Sequence, residues 1–193
     1  RHHPDDIRVA TDIQHSLERF HVPRALRKKT GRIERLFRDK EELPITSNLS
    51  DDITKALRNS DFLIVICSNH TKESMWVQRE IETFLRTHSR DKVLTVLAEG
   101  EPYDVIPDIL LHEDVVDPIT GQIRRQEIEP LSCDWRMKRR KAIREELPRL
   151  AAPLLHCAYD ELRQRQRQYR MRRTVAAFSA EDLEATVPIS SPS

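Results

Sequence analysis

One unbroken apolar run limits what this chain can become. Phe62, Leu63, Ile64, Val65, Ile66 and Cys67 follow one another without a polar residue. A strand with one wet face alternates apolar and polar side chains. A continuous run of this length, rich in β-branched residues, fits a strand covered on both faces. Val93 to Leu97, VLTVL, reads as a second such strand. Ser68, Asn69, His70 and Thr71 break the first run at the strand's carboxyl end, the edge where parallel α/β sheets bind ligands. Ser74 then caps a helix on which Trp76 and Glu80 sit four apart, hence on one face. A carboxylate beside an indole at the mouth of a sheet is a candidate catalytic group.

The flanking segments supply the helices that such a sheet needs. Pro4, Asp5 and Asp6 mark a helix start, with proline in the first turn and acids at the positive end of the dipole. Ile7, Ala10, Ile13, Leu17 and Phe20 keep helical spacing until Val22-Pro23. Lys28, Lys29, Thr30 and Gly31 read as a basic turn. Ile33 to Phe37 is a candidate short strand, followed by a polar loop, RDKEELPITS, from Arg38 to Ser47. Leu49, Ile53, Ala56 and Leu57 predict a second helix, capped by Ser47 or Ser50, with Asp51 and Asp52 in its first turn. Glu99 to Pro107 reads as loop. Asp117 to Gly121 is a turn within an exposed hairpin, and Leu131 to Cys133 a short edge strand. From about Met137 to Arg173 the chain is helical, with breaks expected at Pro148 and Pro153. Glu181 to Ser193 reads as an acidic, Ser/Pro-rich flexible tail.

Strands alternating with helices predict an α/β fold, a parallel sheet with helices on both faces and a long C-terminal helical region. Such folds open on a central strand, whereas this chain opens on a loop and helix. The expectation is therefore that a first strand precedes Arg1 in a longer gene product.

Composition narrows the chemistry. The 193 residues include 34% charged side chains but carry a net charge of only +1, so bulk charge points to no polyanionic partner. Three cysteines, Cys67, Cys133 and Cys157, are widely spaced and fit a reduced, cytosolic protein without a disulfide frame or zinc site. Only three glycines occur, which excludes glycine-rich phosphate loops. The eight histidines show no metal spacing. No apolar run approaches the roughly 18 residues that span a bilayer.

Four segments together resemble a Toll/interleukin-1 receptor (TIR) domain of the bacterial branch. They are RLFRDKEELPITSNL (Arg35 to Leu49), SDFLIVICS (Ser60 to Ser68), SMWVQREIETF (Ser74 to Phe84) and EPLSCD (Glu129 to Asp134). The resemblance runs from about Arg1 to Leu162 and implies a flavodoxin-like sheet. Residues 163–180 are then a basic helical extension and 181–193 the tail. It also implies an activity, cleavage of NAD+ at the nicotinamide–ribose bond, with NAD+ as substrate and no cofactor or metal. Glu80, in the pattern Trp-x-x-x-Glu, becomes the catalytic residue. Trp76, Ser68, Ser74, Arg38 and Phe37 become candidate substrate contacts. Asp39, Glu41, Leu43, Pro44 and Ile45 form the loop through which TIR protomers assemble, so homo-oligomers are the implied partners. The implied role is bacterial defence, including anti-phage defence, by draining NAD+.

Each of these residues also has a plainer reading. Glu80 alone is a solvated helix glutamate. Trp76 at helical spacing is equally a core residue. Ser68 and Ser74 are equally a strand terminus and a helix cap. Arg38 and Asp39 are equally a surface ion pair. The arginines of ELRQRQRQYRMRR, Glu161 to Arg173, are a solvated helix or a juxtamembrane segment whose span lies beyond Ala180. Tyr169 is the one aromatic among them, which argues against nucleic acid. Two alternatives to the enzyme follow, a non-catalytic TIR adaptor that acts by homotypic assembly and a membrane-proximal signalling module.

Overall fold

Both long apolar runs become strands of one parallel sheet, each covered on two faces. The computed structural model describes residues 3–33, 36, 49–128, 131–169 and 171, with the side chains of 49 and 50 excepted. Strand β1 (Leu63–Cys67) pairs with β2 (Val93–Leu97) from Leu63↔Val93 to Cys67↔Leu97. The short β5 (Ser132–Asp134) pairs with β2, also in parallel, giving the order β1-β2-β5. Ile64, Ile66, Leu94 and Val96 point to one face, where they meet Ile13, Leu17, Leu26, Trp135, Leu150 and Leu162. Leu63, Val65, Cys67, Val93 and Leu97 point to the other, against Ile81, Val105, Ile106 and Leu111. Successive strand residues serve opposite faces, so a strand buried on both sides cannot alternate in polarity.

Helices α1 (Pro4–Glu18), α2 (Arg24–Thr30), α7 (Arg139–Glu145) and α8 (Leu147–Leu154) supply the first face. Residues 159–169 form a further helix, α9, whose Leu162 is fully buried in the same cluster. Helix α4 (Met75–Leu85) covers the second face with the fully buried Ile81, flanked by Val77 and Leu85, and its Phe84 is fully buried as well. Helix α3 (Leu49–Asn59) packs against α4. Strands β3 (His112–Val116) and β4 (Ile123–Glu127) form a separate antiparallel hairpin, as the sequence predicts.

Three expectations change. Lys28, Lys29 and Thr30 lie in the last turn of α2 rather than in a turn, because the cations suit the negative helix end and Gly31, at φ 78°, closes it. Glu99 to Pro107 is not all loop. Pro102–Val105 (α5) is a helical turn started by its proline, and Asp108–Leu111 (α6) is another. Pro148 starts α8, but Pro153 lies inside it, and the break follows at Leu155 to Ala158, where His156 has φ 50°. In the candidate strand Ile33 to Phe37, Ile33 and Leu36 are outside any strand, and 34, 35 and 37 lie outside the described residues. Of the two caps proposed for α3, Ser47 lies outside the described residues, as does the 181–193 tail, and Ser50 lies within the helix as its second residue. Among the described residues, no helix is long and apolar enough to cross a membrane.

Candidate active site

The loop 68–74 begins where β1 ends, and its conformation is built from short polar side chains. The Thr71 hydroxyl donates to the Ile66 carbonyl at 2.9 Å and accepts from the Ser68 amide at 2.9 Å. With that proton committed, the Ser68 hydroxyl donates to Thr71 Oγ1 at 3.2 Å, and it accepts from the His70 amide at 3.3 Å. Ser68 is 1% exposed and Thr71 3% exposed. Of the two readings open for Ser68, substrate contact and strand terminus, this geometry supports the second. Ser74 caps α4, its hydroxyl accepting from the Val77 amide at 3.4 Å. Gln78 reaches back to the Lys72 carbonyl at 2.8 Å, which binds the first turns of α4 to the loop.

Helix α4 divides its faces cleanly. Ile81 and Phe84 enter the core, while Met75 and Trp76 are 71% and 55% exposed. Trp76 is therefore outside the core, with the Arg79 guanidinium 5.7 Å from its ring centroid. Glu80 is half-buried, one turn beyond Trp76 on the flank between the buried and solvated faces. The sequence expectation that Trp76 and Glu80 share a face holds because the helix is continuous through both. Arg38, Phe37, Asp39, Glu41, Leu43, Pro44 and Ile45 lie outside the described residues, so their relation to Glu80 stays an expectation.

The neighbouring loops at the same sheet edge are tied together. The Cys67 carbonyl accepts from the Ala98 amide at 2.8 Å, and the Leu97 carbonyl from the Trp135 amide at 2.8 Å. Gly100, at φ 72°, lets Asn69 approach. A Cβ built there would stand 2.4 Å from Val105 Cγ1 and 2.8 Å from Asn69 Oδ1. Arg136 grips Asp134 through two bonds of 3.0 and 2.9 Å and spans to the Gly100 carbonyl at 2.7 Å and Glu101 at 2.9 Å. The Arg136 guanidinium holds the Asp134 carboxyl below the usual carboxylate range. Lys72 bonds the Tyr103 carbonyl at 2.8 Å and pairs with Asp108 at 3.2 Å. His3, which precedes α1, stacks on His70 with ring centroids 4.1 Å apart.

Sequence reading placed Asn69 and Thr71 at the strand's carboxyl end without giving them a role, and missed Gly100 and Arg136 as builders of this edge. The signal available was positional, since all four follow a strand end. Burial pushes the Cys67 and Cys133 thiols up to about 12, so neither is a nucleophile in the folded chain. Among the described residues, no group of three His, Cys, Asp or Glu is placed to hold a metal ion.

The geometry thus offers a half-buried carboxylate and an exposed indole on one helix beside a rigid loop cluster. Comparison with known proteins bears on what this means. NAD(+) hydrolase ApTIR of Actinoplanes sp. is 35% identical to this chain over 103 residues, covering 51% of the chain and 13% of that protein. The chain thus spans only a small part of that relative's length. No solved structure matches. The model of the TIR domain matches residues 2–131, a span that includes β1, the 68–74 loop and all of α4, and the chain accordingly belongs to the TIR domain family.

Proposed function

We propose that this chain hydrolyses NAD+ at the nicotinamide–ribose bond, with Glu80 as the catalytic carboxylate. The observation that carries the reading is Trp76 and Glu80 on α4, the first exposed and the second half-buried, in a TIR domain. The relative named NAD(+) hydrolase supports the choice of substrate.

The bond to be broken joins a positively charged pyridinium to the ribose C1′. As it lengthens, the electron pair goes to the ring nitrogen and nicotinamide leaves neutral, so no general acid is required. Positive charge moves to C1′ and the ring oxygen, as in glycoside hydrolysis. A fixed carboxylate beside the ribose is worth more in that transition state than in the ground state, which is the condition for catalysis. Water then bonds to C1′ and loses a proton, giving ADP-ribose. Attack by the substrate's own adenine would give a cyclic product from the same intermediate. Trp76 presents an apolar ring to one side of the substrate. Ser68 has its hydroxyl engaged in the turn, whereas Ser74, whose hydroxyl oxygen accepts from Val77 as the cap, is proposed to donate its hydroxyl proton to the substrate. Arg38 and Phe37 are proposed to complete the substrate contacts, with Arg38 on the diphosphate through charge-assisted bonds. The loop carrying Asp39, Glu41, Leu43, Pro44 and Ile45 is proposed to bring protomers together, and depletion of NAD+ in bacterial defence is the proposed role.

Chromatographic identification of products after mixing the concentrated chain with NAD+ tests the reading. Nicotinamide in equal amount to ADP-ribose, or to a cyclic ADP-ribose, is the expected result. Absence of nicotinamide at every protein concentration would overturn it and leave the adaptor reading.

A further inference from the structure

The β3–β4 hairpin stands apart from the sheet, and almost every residue of both strands is exposed. Val116, Ile119 and Ile123 are 60%, 92% and 70% exposed. A two-stranded ribbon with neither face covered is marginal in water and presents two open edges. Its tip is nevertheless closed by a set of hydrogen bonds. Asp117 accepts from the Ile119 and Thr120 amides at 2.8 and 3.1 Å, and the Gly121 amide bonds the Asp117 carbonyl at 2.8 Å.

The register fixes which backbone groups point outward. The Asp117 amide bonds the Gln122 carbonyl, and the Ile128 amide bonds the Leu111 carbonyl. Paired residues alternate between bonded and unbonded positions along an antiparallel ladder. The inward-bonded positions are thus 113, 115 and 117 against 126, 124 and 122. The outward groups belong to 112, 114 and 116 on β3, and to 123, 125 and 127 on β4. Arg90 already occupies the His112 carbonyl at 2.7 Å. Among the described residues, the open part of the β3 edge is therefore Asp114 and Val116.

We propose that a second copy of this chain docks here head to tail, the β3 edge of one protomer pairing with the β4 edge of the next. In the antiparallel register that repeats the hairpin's own, Asp114 faces Arg125 of the next copy and Val116 faces its Ile123. One pair is opposite in charge and the other apolar on both sides. The two-fold alternatives lack this match. Joining two β3 edges about Asp114 sets carboxylate against carboxylate, and joining two β4 edges about Arg125 sets guanidinium against guanidinium. Because each copy has one edge of each kind, the contact is heterologous, and its growth into a ring or an open chain depends on the rotation between copies. With only two residues per edge, the association is weak and concentration-dependent. This surface is separate from the 39–45 loop and does not depend on the enzymatic reading.

Disulfide trapping tests the register without altering any charge. Val116→Cys and Ile123→Cys are made separately in a Cys157→Ser background, and both chains are checked for the wild-type far-ultraviolet spectrum. Mixed and mildly oxidised, they are expected to give a covalent dimer of twice the 22.7 kDa monomer. Its yield should exceed that of either chain alone by about tenfold and fall in molar salt. An equal yield from Val116→Cys alone would overturn head-to-tail pairing. No dimer in the mixture would overturn the surface altogether, whatever oligomers form through other contacts.

Discussion

Trp76 and Glu80 show what a sequence can and cannot say about single residues. Their spacing set them on one face, but only packing decided that the indole lies outside the core while Ile81 and Phe84 fill it. Ser68 went the other way, because a serine after a strand looks available until Thr71 is seen to enclose it. Gly100 was legible only by its position after a strand end, since its importance lies in Asn69 and Val105, which reach it from other segments. Gly100→Ala must adopt a positive φ and displace Val105. A loss of about 1–3 kcal/mol in folding stability is expected, read from denaturant unfolding. An unchanged midpoint would show that the loops do not meet as described.

At the scale of elements, the strands were the most legible because each is buried on two faces and the run of apolar residues has no other cheap explanation. The β3–β4 turn was also legible, from Asp117-Pro118 and Gly121. Helix ends were less so. Lys28 to Gly31 carries turn-like residues, yet cations and glycine are equally what the end of α2 requires. Pro153 is tolerated within α8, so the proline did not mark the break. Helix α4 depends on its first turn for the placement of Glu80. Ser74→Ala removes the hydroxyl that accepts from Val77 and should cost about 1 kcal/mol. Thermal unfolding followed by circular dichroism would record it. Because the cap orients α4 and the hydroxyl is proposed to contact the substrate, activity is expected to fall along with stability.

For the whole molecule, a carboxylate at the sheet's carboxyl edge contributes to the response to acid. Asp134 ionises below its ordinary range when folded, through its bonds to Arg136. A carboxyl whose folded value is lowered contributes stability above its unfolded value, about 4, and that contribution disappears as pH falls through the folded value. Arg136→Leu should therefore be less stable than wild type at neutral pH. The gap should narrow as pH drops below about 4. Denaturant titrations between neutral and strongly acid pH would reveal it, and a constant gap would assign the loss to packing alone. How the loops at this edge join was outside the reach of sequence reading, because Arg136 and Gly100 are far apart in the chain and nothing local links them.

The central claim is that one carboxylate on α4 stabilises a ribose turning cationic. Rates of nicotinamide release from NAD+ by the wild-type chain and by Glu80→Gln, at equal concentration and with matching circular dichroism, test it most directly. Glutamine keeps the shape and removes the charge. The expected result is a loss of at least about a hundredfold, some 2.7 kcal/mol of transition-state stabilisation. Equal rates in the two proteins would contradict the account.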